Sequence, residues 1–148
     1  MSDMQTANRL HKSWEHFSHT ADIGVRGFGS TVAESFERAA LAMTAVVSEL
    51  ESIHPEIAVR IHCDAPDIEM LFVDWLNAVI FEMATREMLF CEYQVTIEGN
   101  VLNGWARGEN VDVSRHKPAA EIKGATFSEL GVKQLPDGVW CAQCIVDI

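Results

Sequence analysis

The residues with the most direct chemical potential stand at the end of the chain, where Val146-Asp147-Ile148 puts an aspartate beside a terminal carboxylate. A third acid, Asp22, closes the tight corner His19-Thr20-Ala21-Asp22. If folding carries that corner to the chain end, three carboxylates repel one another unless a cation joins them. Hard oxygen donors of this kind suit calcium, magnesium or manganese better than zinc. The competing reading is three solvated acids, and spacing alone does not choose between the two.

Other candidate motifs read as structure. Gly24, Gly27 and Gly29 follow neither the Walker A nor the dinucleotide spacing and fall in a predicted strand. Cys141-Ala142-Gln143-Cys144 lacks two further zinc ligands at suitable spacing, and residues three apart on a strand face opposite ways. Together with Cys63 and Cys91 these cysteines read as buried thiols. His19, His54, His62 and His116 are scattered, with no H-E-x-x-H and no nucleophile beside them. The acids on and around the second helix, from Asp64 to Glu92, read as a solvated face that could also dock a basic protein.

Elements must position these groups, and their periods are clear. Trp14 to His19 and Ile23 to Phe28 read as strands, followed by the capping box Thr31-Val32-Ala33-Glu34 and an apolar helical stripe from Val32 to Leu50. Glu34 and Arg38 stand four apart on the other face of that helix. Ile57 to Cys63 alternates as a strand. A second helix begins near Asp67 and carries Ile68, Leu71, Phe72, Trp75, Leu76, Val79, Ile80 and Met83 at core spacing. Gly99-Asn100 joins a hairpin of Tyr93 to Glu98 and Val101 to Arg107. Pro136-Asp137-Gly138 turns between strand-like Ile122 to Leu135 and Val139 to Ile148. The expected architecture is α+β, with two long amphipathic helices packed on a mostly antiparallel sheet. Strand–helix–strand occurs twice, which admits an internal structural duplication.

The chain has 148 residues, 48% hydrophobic and 22% charged, enough for one domain with a real core. Its 11 Lys and Arg against 22 Asp and Glu give a net charge of −11, the wrong sign for phosphate backbones or anionic membranes. The polar stretch from Met1 to Ser13 has no apolar run for a signal peptide, and no window is long and apolar enough to span a bilayer. A flexible leader over 1–13, a single domain over 14–148, a cytoplasmic location and a monomeric state are expected.

Trp14-Glu15-His16-Phe17-Ser18-His19-Thr20-Ala21-Asp22-Ile23-Gly24-Val25-Arg26-Gly27-Phe28-Gly29-Ser30-Thr31, with the helix carrying Glu34, Phe36 and Ala39-Ala40 behind it, resembles the opening signature of the archease family. Leu71, Leu76 and Phe81, then Gly108-Glu109, His116, Ile122-Lys123-Gly124-Ala125-Thr126-Phe127 and Val146-Asp147-Ile148 resemble the family's later blocks in the same order. The resemblance covers about residues 14 to 148. It implies a protein cofactor of RtcB, the GTP-dependent ligase of tRNA splicing and RNA repair, promoting guanylylation of the ligase histidine and multiple turnover without itself being an enzyme. It also implies a divalent ion, calcium foremost, held by Asp22, Asp147 and the carboxylate of Ile148, the same three groups that charge crowding singles out. Glu109 and Lys123 are expected on the partner-facing surface, an ordinary strand-edge charge being the plainer reading of each. Direct nucleic-acid binding is not expected.

Two positions depart from the family pattern. Ser18 stands where an acid often precedes the HTAD histidine, thinning the negative charge there, and Ser128 stands where many relatives carry His, so that no histidine role transfers. A chaperone or modulator of an RNA-modifying enzyme such as a tRNA methyltransferase is the alternative function. A metal-dependent hydrolase is weaker still, because no general base or substrate pocket accompanies the acids.

Overall fold

The computed structural model describes residues 13–19 and 22–148. The expected leader, apart from Ser13, and the Thr20-Ala21 pair of the acidic corner lie outside them. Strand β1 (Trp14–His19) pairs antiparallel with β2 (Asp22–Gly29). Helix α1 (Val32–Val47) follows, opened by Thr31, whose hydroxyl accepts the Glu34 N–H at 3.1 Å. The Glu34 carboxylate reaches back to the N–H of Ser30 at 2.8 Å, one residue beyond the cap itself, so two otherwise unpaired donors are satisfied. The expected continuation to Leu50 fails because Ser48 is extended and its hydroxyl donates to the carbonyl of His116 at 2.7 Å. Leu50–Ser52 instead forms a separate 3-10 turn.

Strand β3 (Ile57–Asp64) buries Val59, Ile61 and Cys63 in alternation, while Ile57, expected inside, is exposed. Asp67 caps α2 (Ile68–Arg86) by accepting the Met70 N–H at 2.8 Å, and Glu87 ends it in the left-handed region at φ 53. Strands β4 (Met88–Glu98) and β5 (Val101–Asn110) form the expected hairpin, and Gly99 supplies the positive φ of 60 that its turn requires. Strand β4 starts earlier than alternation indicates, because a bulge between Phe90 and Glu92 interrupts the period. After a short helix α3 (Val113–His116) come β6 (Gly124–Ala125), β7 (Gly131–Gln134) and β8 (Trp140–Asp147). The continuous strand expected over Ile122 to Leu135 is thus two short pieces flanking a loop. Both pieces pair with β8.

The α+β expectation holds, with two antiparallel sheets in place of one. The first sheet runs β1-β2-β8-β6 with β7 also on β8, and the second runs β3-β5-β4. Helix α1 packs against β2 and β8 of the first sheet and β4 of the second, and α2 covers the inner face of the second. The core they share includes Val25, Phe36, Met43, Phe72, Trp75, Leu76 and Leu102. Helix α1 comes close to β2 at Gly27, where a Cβ would sit 2.2 Å from the backbone of Ser35 and Ala39. Only glycine fits that crossing.

The two strand–helix–strand units are not copies: β2-α1-β3 passes between sheets, whereas β3-α2-β4 stays within one and places β5 between its strands. Glu37 of α1 accepts the edge N–H of Val95 at 2.8 Å and covers one side of the second sheet, and burial raises its carboxyl pKa. The CxxC cysteines face opposite ways, Cys144 in the main core and Cys141 beside Phe28 and Val139. Cys63, Cys91 and Cys144 are free thiols, and burial pushes Cys144 up to about 12 and Cys63 to about 11, the inert range. Among the described residues no helix is long and apolar enough to cross a membrane.

Candidate functional site

Strand pairing carries the acidic corner to the chain end. The β2–β8 register ends with Ile23 opposite Val146, so the next residues of the two strands, Asp22 and Asp147, come side by side at the end of the first sheet. Asp22 is also the register partner of His19 on β1, and Asp147 is the partner of Gly124 on β6. Directly opposed residues on an antiparallel pair project from the same face, about 4.5–5.5 Å apart at Cβ. The face is the outer one, away from α1, since Ile23 and Val146 turn inward to the core. Asp22 is half-buried and Asp147 exposed, with Ile148 exposed just beyond.

The neighbouring strand adds a cation to this edge. The Lys123 N–H donates to the carbonyl of Asp147 at 2.8 Å, which seats the Lys123 backbone beside Asp147. The short β6 that follows is clasped from behind by Asn77 of α2, whose side-chain oxygen accepts the Ala125 N–H at 2.9 Å. Thr126 adds an Oγ1 bond to the carbonyl of Ile145 at 2.9 Å. Asp22, Asp147, Ile148 and Lys123 therefore meet at one corner. The donor set would suit a divalent cation: the carboxylates are hard oxygen donors, and the exposed edge would admit water to fill out a coordination shell.

Glu109 belongs elsewhere and is neither of the things expected of it. Its side chain is not a strand-edge charge and does not share the surface with Lys123; the residue is 7% exposed. Arg115 grips it with two bonds of 2.7 and 2.8 Å, the His54 N–H donates at 2.7 Å, and His116 lies 3.0 Å away through Nε2. Because the Asp112 N–H donates to His116 Nδ1 at 2.8 Å, the ring proton sits on Nε2 and points at Glu109. The cluster staples the segment after α1 to the segment around α3. Among the described residues, His54, Glu56 and Glu109 also bring three metal-ligating groups together. With both Glu109 oxygens already engaged by Arg115, this set suits an ion pair and not a metal.

The Arg115 guanidinium, aided by the His54 N–H and His116, holds the Glu109 carboxyl far below the usual carboxylate range. The unfolded chain therefore takes up the Glu109 proton first as pH falls, so the stabilisation is present at neutral pH and is lost on acidification. Glu109→Gln is expected to be less stable than the wild type at neutral pH. The gap narrows as acid passes through and below the ordinary carboxylate range, as paired thermal unfolding across pH will show.

Residues 14–148 match the archease protein family. The chain belongs to the archease family. An archease of Pyrococcus furiosus is 36% identical over 141 residues, covering 93% of this chain and 99% of that protein. An archease of Methanosarcina barkeri is 37% identical over 142 residues, covering 93% and 97%. The solution structure of protein 1598 of Methanobacterium thermoautotrophicum superposes with a TM-score of 0.80 at 29% identity, covering 93% of this chain and 99% of that one.

For an archease-family chain, then, the acidic corner lies inside the matched span at both of its ends. Asn77, Arg115 and the His54 backbone were not legible as site-supporting groups. Asn77 is one of several polar residues of α2, and nothing in its spacing signals a bond to a strand 48 residues away.

Proposed function

We propose that this archease-family chain is a protein cofactor of an RtcB-type GTP-dependent RNA ligase in tRNA splicing and RNA repair, promoting guanylylation and repeated turnover of the ligase without joining RNA itself. The observation that carries the reading is the convergence of Asp22, Asp147 and Ile148 at one sheet corner, with Lys123 beside them. Asp22, Asp147 and the Ile148 carboxylate would hold a divalent cation, calcium before magnesium or manganese, whose chemistry there is to neutralise three acids and tie distant parts of the chain together. The chain's own part is presentation. A rigid, hydrogen-bonded corner brings oxygen donors and one lysine to the metal- and phosphate-bearing cleft of a ligase, and a net charge of −11 favours encounter with a basic partner.

The test is ligation counted per ligase molecule, with GTP and RNA halves in excess and the purified chain added or withheld. Sustained ligation beyond the first round in its presence is expected, and an unchanged count overturns the reading. The exposed rings of Phe81 and Phe127 favour one second reading, a chaperone of an RNA-modifying enzyme. That role predicts rescue of a tRNA methyltransferase from aggregation with no effect on ligation.

A further inference from the structure

We propose that the outer face of the second sheet binds an unpaired base of single-stranded RNA. The proposal stands on this face alone and needs no ligase. Strands β3, β5 and β4 align Arg60, Trp105 and Gln94 in one row and His62, Asn103 and Thr96 in the next. All six are exposed, and among the described residues no element of the fold covers them. They line a cleft of ≈ 380 Å³ that holds no acidic residue, in a chain with twice as many acids as bases. A second cleft of ≈ 470 Å³ shares Gln94 and Trp105 and is reached by Arg107, but Glu37 and Glu92 also line it, so the base is assigned to the acid-free cleft.

The chemistry of the lining chooses the occupant. The Arg60 guanidinium lies 4.7 Å over the Trp105 ring, a cation–π pair that offers a base both an aromatic face and a planar cation. Among the described residues neither the Arg60 nor the Arg107 side chain has an ion pair or a hydrogen bond, whereas Arg26, Arg38, Arg86 and Arg115 each face an acid. His62 Nδ1 and Asn103 Oδ1 are 2.8 Å apart, which orients the Asn103 amide and leaves His62 Nε2 available. The Gln94 amide likewise has no partner among the described residues. A base offers a flat π face with donors and acceptors around its rim, and these groups match both parts.

A peptide would need an apolar pocket for an anchoring side chain. In the acid-free cleft Trp105 is the one exposed large apolar group among the described residues, and no apolar pocket opens beside it. The net charge argues against long-range attraction of phosphate, and this contact is short-range: stacking supplies the affinity, and two guanidiniums serve at most a phosphate or two.

The test is fluorescence anisotropy of the full chain with a short fluorescein-labelled single-stranded RNA at low salt. Saturable binding is expected, weakened about tenfold or more by Trp105→Ala, as loss of one stacked base implies. Arg60→Gln, which leaves the indole in place, is expected to weaken it too. The log–log salt slope should be shallow, about −0.7 for each phosphate engaged. Absence of binding, or binding that both variants retain in full, overturns the proposal. So does an equally tight, variant-sensitive complex with a labelled polyglutamate peptide, which would assign the face to acidic protein. Near-wild-type melting of both variants shows that the loss is not one of folding.

Discussion

Replacing Asp147 by asparagine is expected to lower calcium affinity by about tenfold or more, and Asp22→Asn to do the same, because ligand charge count is a main determinant of affinity at all-oxygen sites. The two substitutions act on different strands but on one corner, since β2 and β8 end side by side there. Asparagine keeps the size and one oxygen of each side chain, so the change isolates charge from shape. Appending a residue to Ile148 moves the terminal carboxylate off the corner without altering either aspartate, and it should weaken binding in the same way. Isothermal titration of calcium into the wild type and the three variants measures this directly. A second readout is thermal: an ion bound by the folded state alone raises the melting temperature with concentration, and the variants should lose that rise.

Trp75→Ala is expected to cost about 3–5 kcal/mol in unfolding free energy, the range for removing a buried tryptophan. At about 2–4 °C per kcal/mol for a chain of this size, melting should fall by about 6–20 °C. Trp75 is fully buried on α2, its ring meets Tyr93 edge-on at 5.8 Å, and its Nε1 donates to the Phe36 carbonyl at 3.0 Å. Truncation therefore opens a cavity where α1, α2 and the second sheet meet, and leaves a carbonyl of α1 without its extra donor. Trp105→Ala provides the contrast. That ring is 36% exposed on the uncovered face of the same sheet, so its removal should shift melting by a few degrees at most. Thermal denaturation followed by circular dichroism separates the two.

The contrast between these tryptophans shows how much of the fold was legible in the residues. Trp75 belongs to an apolar helical stripe whose spacing announces burial, and Leu71, Phe72, Leu76 and Val79 of that stripe are all in the core. The Thr31 cap and the start of the second helix near Asp67 were readable because a capping side chain three residues from its backbone partner is a local matter. Sheet membership was not. Strands β2 and β3 flank one helix yet belong to different sheets, a choice made by long-range packing that no local pattern encodes. The segment from Ile122 to Leu135 carried strand-like residues throughout. Its middle loses regular pairing yet stays tethered to β8, the Ser128 carbonyl accepting the Ile145 N–H outside any regular ladder.

At the candidate site the acids themselves were legible from charge crowding, because Asp147 and the last carboxylate are neighbours in sequence. Their meeting with Asp22 depended on strand register. Glu109 was misread for the opposite reason. On β5 it occupies the alternation slot of an exposed residue, and its burial follows from Arg115 and His116, six and seven residues further along, folding back over it.

The most direct test of the account is the number of ligation rounds completed per RtcB-type ligase molecule with the wild-type chain against the Asp22→Asn and Asp147→Asn chains, all in calcium. The account predicts many rounds with the wild type and a fall to about the unassisted count with either variant. Stimulation by both variants equal to that of the wild type would contradict it.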